Sequence, residues 1–180
     1  MDATKLIEKY YQSHPEAKKY LLAHSRAVAK KGVKLAERYS SSMNIEFVEE
    51  ASLLHDIGIY LTYAPHIGCY GKDPYIRHGV LGRDILEKEG LPDHALVAER
   101  HIGVGLTREG IKEQGLPLPD RDMIPQTPEE EIVAMADLFF SKSRKPIHKE
   151  KNLSQIKKGL IKFGENKIEK FNIWLKKYGR

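Results

Sequence analysis

Cysteine is almost absent: Cys69 is the only one in 180 residues. That excludes an internal disulfide framework and any cysteine-rich zinc module. Long apolar runs are missing too. No stretch approaches the roughly 20 residues that a membrane-spanning helix needs. Residues 1–19, MDATKLIEKYYQSHPEAKK, lack the apolar centre of a signal peptide. The composition of a disordered chain is also missing, since hydrophobic residues make up 41% and charged residues 31%. The expectation is a cytoplasmic protein without a membrane partner, forming a single domain over residues 1–180.

A surplus of one charge sign is lacking over most of the chain. The formal net charge is +5, but residues 142–180 hold 13 Lys/Arg against three Asp/Glu, leaving 17 against 22 in the other 141 residues. An acidic body with a basic tail does not predict a nucleic-acid partner. The tail reads as a packing helix over about 153–178, with Phe163, Phe171 and Trp174 as anchors.

What is present is helical periodicity. Pro15 is placed for a first turn, and Leu21, His24, Val28, Leu35 and Tyr39 follow at helical steps or their multiples. A second helix is expected from Glu46 to Ile57, stopped by Gly58. Residues 62–73 read as a loop. Asp73-Pro74 opens a helix to about Glu89, and Pro92-Asp93 opens another through His101. Residues 103–127 carry four glycines and three prolines and read mostly as loop, with a short helix over Thr107 to Gln114. As a long loop following His101, this segment is a candidate wall or lid. Thr127-Pro128-Glu129-Glu130-Glu131 combines a cap, a first-turn proline and dipole-favoured acids. No repeat and no convincing strand is found, so the expected fold is all-α.

The chemistry lies in polar residues inside apolar runs. His55-Asp56 interrupts Leu53 to Ile57, and Asp137 is the only polar member of the nine residues Ile132–Phe140. His24 lies on an apolar stripe, and His78 and His101 have small and apolar neighbours. A buried carboxylate must be paired or coordinate a metal, because burying it alone costs several kcal/mol. Imidazole with carboxylate suits iron, manganese, cobalt, nickel or zinc. Six such groups exceed one tetrahedral ion, which points to two ions sharing a carboxylate. His66 and His94 read as surface residues.

The ordered set His24, His55-Asp56 and Asp137 resembles the H…HD…D pattern of the HD-domain superfamily of metal-dependent phosphohydrolases. His55-Asp56-Ile57-Gly58 matches its HDIG variant, and the resemblance covers about residues 20–140. It implies that His24, His55, Asp56 and Asp137 form a primary metal site. His78 and His101 stand where two-metal members carry two further histidines, with Asp56 as the catalytic, bridging carboxylate. Many members also carry a lysine just after the doublet; Tyr60 is read here in its place. Tyr60, Arg26, Arg83, Arg100 and Arg108 are the candidate substrate-binding residues.

The resemblance implies hydrolysis of a small phosphorylated metabolite or nucleotide, with two divalent transition metal ions as cofactors. Two alternatives stand beside it. Some HD-fold proteins use the same ligand set as diiron oxygenases, and others could serve as non-catalytic ligand sensors.

Overall fold

The computed structural model describes residues 2–39, 43–142 and 149–179. Among the described residues it contains nine α-helices and one two-stranded hairpin. The helices are α1 (Ala3–Tyr11), α2 (Pro15–Tyr39), α3 (Ile45–Leu54), α4 (His78–Lys88), α5 (Pro92–Arg100), α6 (Arg108–Glu113), α7 (Pro128–Leu138), α8 (Leu153–Leu160) and α9 (Glu165–Tyr178). The hairpin pairs β1 (Tyr63–Ala64) with β2 (Cys69–Tyr70), antiparallel. The fold is all-α. No helix among the described residues is long and apolar enough to cross a membrane.

Local chemistry explains most helix starts. Side chains of Asp2, Asn44, Thr107, Thr127 and Asn152 each accept a backbone N–H in the first turn that follows. Pro92 and Pro128 open α5 and α7, where a missing N–H costs nothing.

Five features depart from the sequence expectations. The helix expected to open at Asp73-Pro74 begins at His78, after a 3-10 turn at Tyr75–Arg77. α1 was not foreseen; Ala3, Leu6, Ile7 and Tyr11 give it a narrow buried face within a charged segment. α3 ends at Leu54, leaving residues 55–58 in a turn before a 3-10 segment at Ile59–Leu61. The loop at 62–73 contains the hairpin. The C-terminal helix is divided: α8 runs into a 3-10 turn, and Gly164 at φ 120° separates it from α9. The break leaves Phe163 on the surface, 61% exposed, while Phe171 and Trp174 are buried as anchors. Arg144, Lys145 and Arg180 of the basic tail lie outside the described residues.

Residues 103–127 form an organised excursion. Leu106 and Met123 exchange backbone hydrogen bonds of 2.9 and 2.8 Å, and Ile111 and Met123 pack on Val80 of α4 in a small core of their own.

Two larger cores share α2, α3 and α5. The first gathers Val28, Val48, Val97, Ile132 to Ala136, Phe171 and Trp174. The second gathers Ile7, Tyr11, Leu21, Leu54, Ile57, Leu86 and Ala98. His24 lies one turn after Leu21 of the second core and one turn before Val28 of the first. The polar residues of the sequence thus fall along the seam where the cores meet.

Small residues set the spacing of α4 at this seam. A Cβ on Gly58 would overlap the His78 carbonyl oxygen and lie 2.5 Å from the Gly82 nitrogen. A Cβ on Gly79 would lie 2.6 Å from the Ala98 carbonyl oxygen of α5. The glycine of the HDIG turn is therefore the floor on which the first turn of α4 rests.

Two substitutions test this packing. Gly58→Ala should lower stability by about 1–3 kcal/mol through overpacking, and should weaken metal uptake because His78 heads the displaced helix. A calorimetric scan and a metal titration would check both. Trp174→Ala should cost about 3–5 kcal/mol, lowering the melting temperature of a chain this size by about 10 °C. A melting curve matching the wild type would refute the anchor.

Candidate metal centre

Three of the four histidines of the centre are aimed by their own backbone; the Nδ1 of His24 is buried without a hydrogen-bond partner among the described residues. The Nδ1 of His55 lies 2.7 Å from the Ser52 carbonyl oxygen, that of His78 2.7 Å from Tyr75, and that of His101 2.8 Å from Ala98. A carbonyl only accepts, so Nδ1 carries the proton in all three rings. Nε2 is left with its lone pair facing inward, the arrangement that outer partners impose on metal-binding histidines. His101 lies just past the end of α5, where the last carbonyls of a helix lack intrahelical partners, whereas the Tyr75 carbonyl oxygen also accepts the backbone N–H of His78.

The inward atoms converge on Asp56, which has no exposed surface. Its two oxygens divide the centre. Oδ2 lies 3.3 Å from His24 Nε2 and 3.1 Å from His55 Nε2. Oδ1 lies 3.3 Å from His78 Nε2 and 3.6 Å from His101 Nε2. Asp137, 19% exposed, joins the first half, with Oδ1 2.8 Å from His24 Nε2 and 3.6 Å from His55 Nε2. Two donor clusters result: His24, His55, Asp56 and Asp137, and then Asp56, His78 and His101.

This donor set fits a metal and does not fit itself. His78 Nε2 and His101 Nε2 face each other at 3.2 Å, two lone pairs without a proton between them. Asp56 Oδ1 and His55 Nε2 have no hydrogen-bond partner despite full burial. Such atoms are costly unless a cation satisfies them. One cation is already provided by the chain. The ammonium of Lys142 makes a short contact with Asp56 Oδ2 and lies 3.3 Å from His24 Nε2.

The electrostatics agree. Burial pushes the pKa values of His24, His78 and His101 down, that of His101 to about 3 with the help of nearby His55. Neutral imidazole is the ligating form. Burial pushes Asp56 up, but His55 and Lys142 outweigh it and hold the carboxyl well below its usual range. Burial opposes ionisation of Asp137 too, and the closeness of His24 and His55, with the charge of Lys142, outweighs it and holds the carboxyl well below its usual range. For His55, burial is outweighed by Asp56 and by Asp137, which raise it to about 10. A proton there occupies the place a metal ion would take.

The structure therefore brings together all six residues that the sequence put forward as ligands. It does not bring the substrate candidates to them. Tyr60 packs its ring against Tyr11 and His14, 4.9 Å from each, and its neighbour Ile59 is core. Arg83 pairs with Glu99 and Glu87, Arg100 grips Glu130 through both oxygens, and Arg108 pairs with Asp120 on the surface. Glu99 and Glu130 are themselves buried, so two of these arginines are engaged in neutralising them. Arg26 lies exposed on α2. His66 is exposed as expected, whereas His94 is buried beside Glu50 and the Phe47 ring.

Two residues at the centre escaped the sequence reading. Lys142 was counted as part of a basic tail, five residues after Asp137. Tyr75 stacks on His78 with ring centroids 4.7 Å apart, and its hydroxyl interacts with Lys142. The spacing Tyr75–His78 was a readable signal, because i and i+3 side chains meet on a helical turn.

The comparisons with known proteins agree with this geometry. The HD domain profile matches residues 21–140. An uncharacterized protein of Methanocaldococcus jannaschii is 39% identical over 129 residues, which cover 69% of each chain. The tRNA (cytidine(56)-2'-O)-methyltransferase of Thermoplasma volcanium is 36% identical over 126 residues, and that of Picrophilus torridus 33% over 125. Those matches take in 69% of this chain but only about a third of either methyltransferase (33% and 32%). Among solved structures, the HD domain of the Listeria monocytogenes phosphodiesterase PgpH superposes with a TM-score of 0.59 at 20% identity. It covers 96% of this chain and 94% of that one, a likeness of fold. HD domains bind divalent metals, and their general chemistry is metal-dependent phosphohydrolysis. With the matched segment spanning His24 through Asp137, the chain belongs to the HD-domain family.

Proposed function

We propose that the chain is a phosphohydrolase acting on a small phosphorylated metabolite or nucleotide at a centre for two divalent transition metal ions. The division of Asp56 carries this reading. One carboxylate turns each oxygen toward a different set of histidines, the arrangement expected of a bridging ligand. His24, His55 and Asp137 would hold one ion, and His78 and His101 the other. Two such ions supply charge neutralisation for phosphate and a water of lowered pKa.

The chain's own residues supply the rest. Asp56, by spanning both halves, fixes the separation at which the ions would sit. The three Nδ1–carbonyl bonds hold the imidazoles of His55, His78 and His101 against rotation, so these rings would keep their aim when a metal binds, while Lys142 would have to leave the Asp56 and His24 atoms it contacts. Lys142, its side chain 12% exposed, places a permanent cation beside the centre, where it can pair with a phosphoryl oxygen. Tyr75 adds a hydroxyl donor on the same side. These two take the part that Tyr60 and the four arginines were expected to play. Methyl transfer, the activity in the names of two relatives, is not carried over, because the match takes in only a third of those proteins.

The test is a phosphate-ester and nucleotide panel run anaerobically with Mn, Co, Fe or Zn added. Asp56→Ala should lose both ions by elemental analysis and release no phosphate above background. Lys142→Gln should keep its metal and lose about 10²-fold in kcat/KM. If the iron-loaded protein consumed oxygen with an organic substrate and released no phosphate from any ester, an oxygenase reading would replace this one.

A further inference from the structure

The acidic body of the chain contains a local exception. Between residues 26 and 38, α2 carries five cations, Arg26, Lys30, Lys31, Lys34 and Arg38, against one acid, Glu37. Four of the five recur at every fourth residue, Arg26, Lys30, Lys34 and Arg38, and all four are exposed. Like charges at that spacing repel each other along a helix. Among the described residues none of these four makes an ion pair, and Lys31 alone is paired, with Glu150 at 3.0 Å. The helix keeps an unfavourable arrangement for which the described residues supply no ion-pair partner.

The shape around the ridge matters as much as its charge. The five cations line a groove of about 490 Å³ whose remaining walls are Ala23, Ala27, Leu35, Phe140 and Glu150. Glu49 of α3 lies in an adjoining hollow beside Arg26 and Lys30, and Glu37 does not line the groove. Four residues of helix rise about 6 Å, so the ridge offers cations at about 6 Å intervals over about 18 Å. A regular row of charges suits a regular row of phosphates. An anionic membrane would need apolar side chains beside the cations to insert. Here Leu35 and Phe140 are buried in the groove, and only Tyr39 at the helix end is exposed.

We propose that this face of α2 docks the phosphate backbone of a nucleic-acid duplex. The surface is separate from the metal centre, which α2 meets through the buried His24, and the proposal does not depend on the hydrolase reading. It reverses the expectation drawn from overall charge, in which acids elsewhere in the body averaged the ridge away.

Fluorescence anisotropy with a labelled 20-base-pair duplex of mixed sequence, as RNA and as DNA, tests the assignment on the full chain. Binding of either duplex at about micromolar strength in 150 mM salt is expected. The logarithm of affinity should fall with the logarithm of salt at a slope of about −3.6 for four phosphates. Lys30→Gln with Lys34→Gln should weaken binding about 10-fold or more and flatten the slope by about 2. Lys30→Arg with Lys34→Arg should retain both. An unchanged melting temperature and metal content would show that the glutamine pair folds normally. The proposal fails if neither duplex binds at 150 mM salt, or if the glutamine pair binds as the wild type does. It fails equally if phosphatidylserine vesicles bind while both duplexes do not.

Discussion

A fully buried carboxylate is among the least favourable groups a fold can contain, and Asp56 has no surface at all. Removing such a charge from water costs several kcal/mol even after relaxation, and the surrounding architecture answers that cost. Four imidazole nitrogens lie within 3.6 Å of its two oxygens, delivered by α2, the turn after α3, the start of α4 and the end of α5. Lys142 arrives from beyond α7 to the same place. The elements of the fold meet where they do because this one carboxylate has to be compensated from several directions at once.

The compensation works only if the helices approach closely. Gly58 and Gly79 allow backbone to lie on backbone, which brings His78 within 3.2 Å of His101 across the α4–α5 contact. The apolar residues on either side are arranged as two cores rather than one, and the charged seam between them is largely buried without being apolar. This division separates two kinds of buried acid. Glu99 and Glu130 are neutralised by arginines and serve packing. Asp56 and Asp137 are surrounded by histidines and remain available to a metal.

Those two kinds keep different company along the sequence, which explains much of what could and could not be read there. His24, His55, Asp56 and Asp137 interrupt apolar runs, and periodicity placed them on inward faces. Glu99 and Glu130 sit in charged neighbourhoods, Ala98-Glu99-Arg100 and Glu129-Glu130-Glu131, where burial leaves no trace. Consequently Arg83 and Arg100, which pair with them, read as free charges. α2, α5 and α7 were legible because each combines a start signal with an apolar stripe, whereas α4 was legible in its body but not in its start, which falls at His78. α1 buries too few residues to stand out, and the break at Gly164 was hidden because apolar periodicity continues across it. Tyr60 was placed by its position along the chain, while Tyr75 reaches the centre through a contact made in space. Lys142 was obscured by averaging: one lysine among thirteen cations carries no mark of its burial.

The hydroxyl of Tyr11 donates to the Ile57 carbonyl oxygen at 2.8 Å, tying α1 to the backbone just past Asp56. Residue 11 lies outside the stretch that the HD profile matches, as do Phe171 and Trp174 at the other end. The recognisable signature and the physical support of the centre therefore have different boundaries. A fragment trimmed to the signature would keep every ligand while losing the post that steadies the HDIG turn and the ring system that backs α7. For anyone transplanting or shortening this domain, the residues least marked by family likeness are the ones whose loss would leave the ligands present but unaligned.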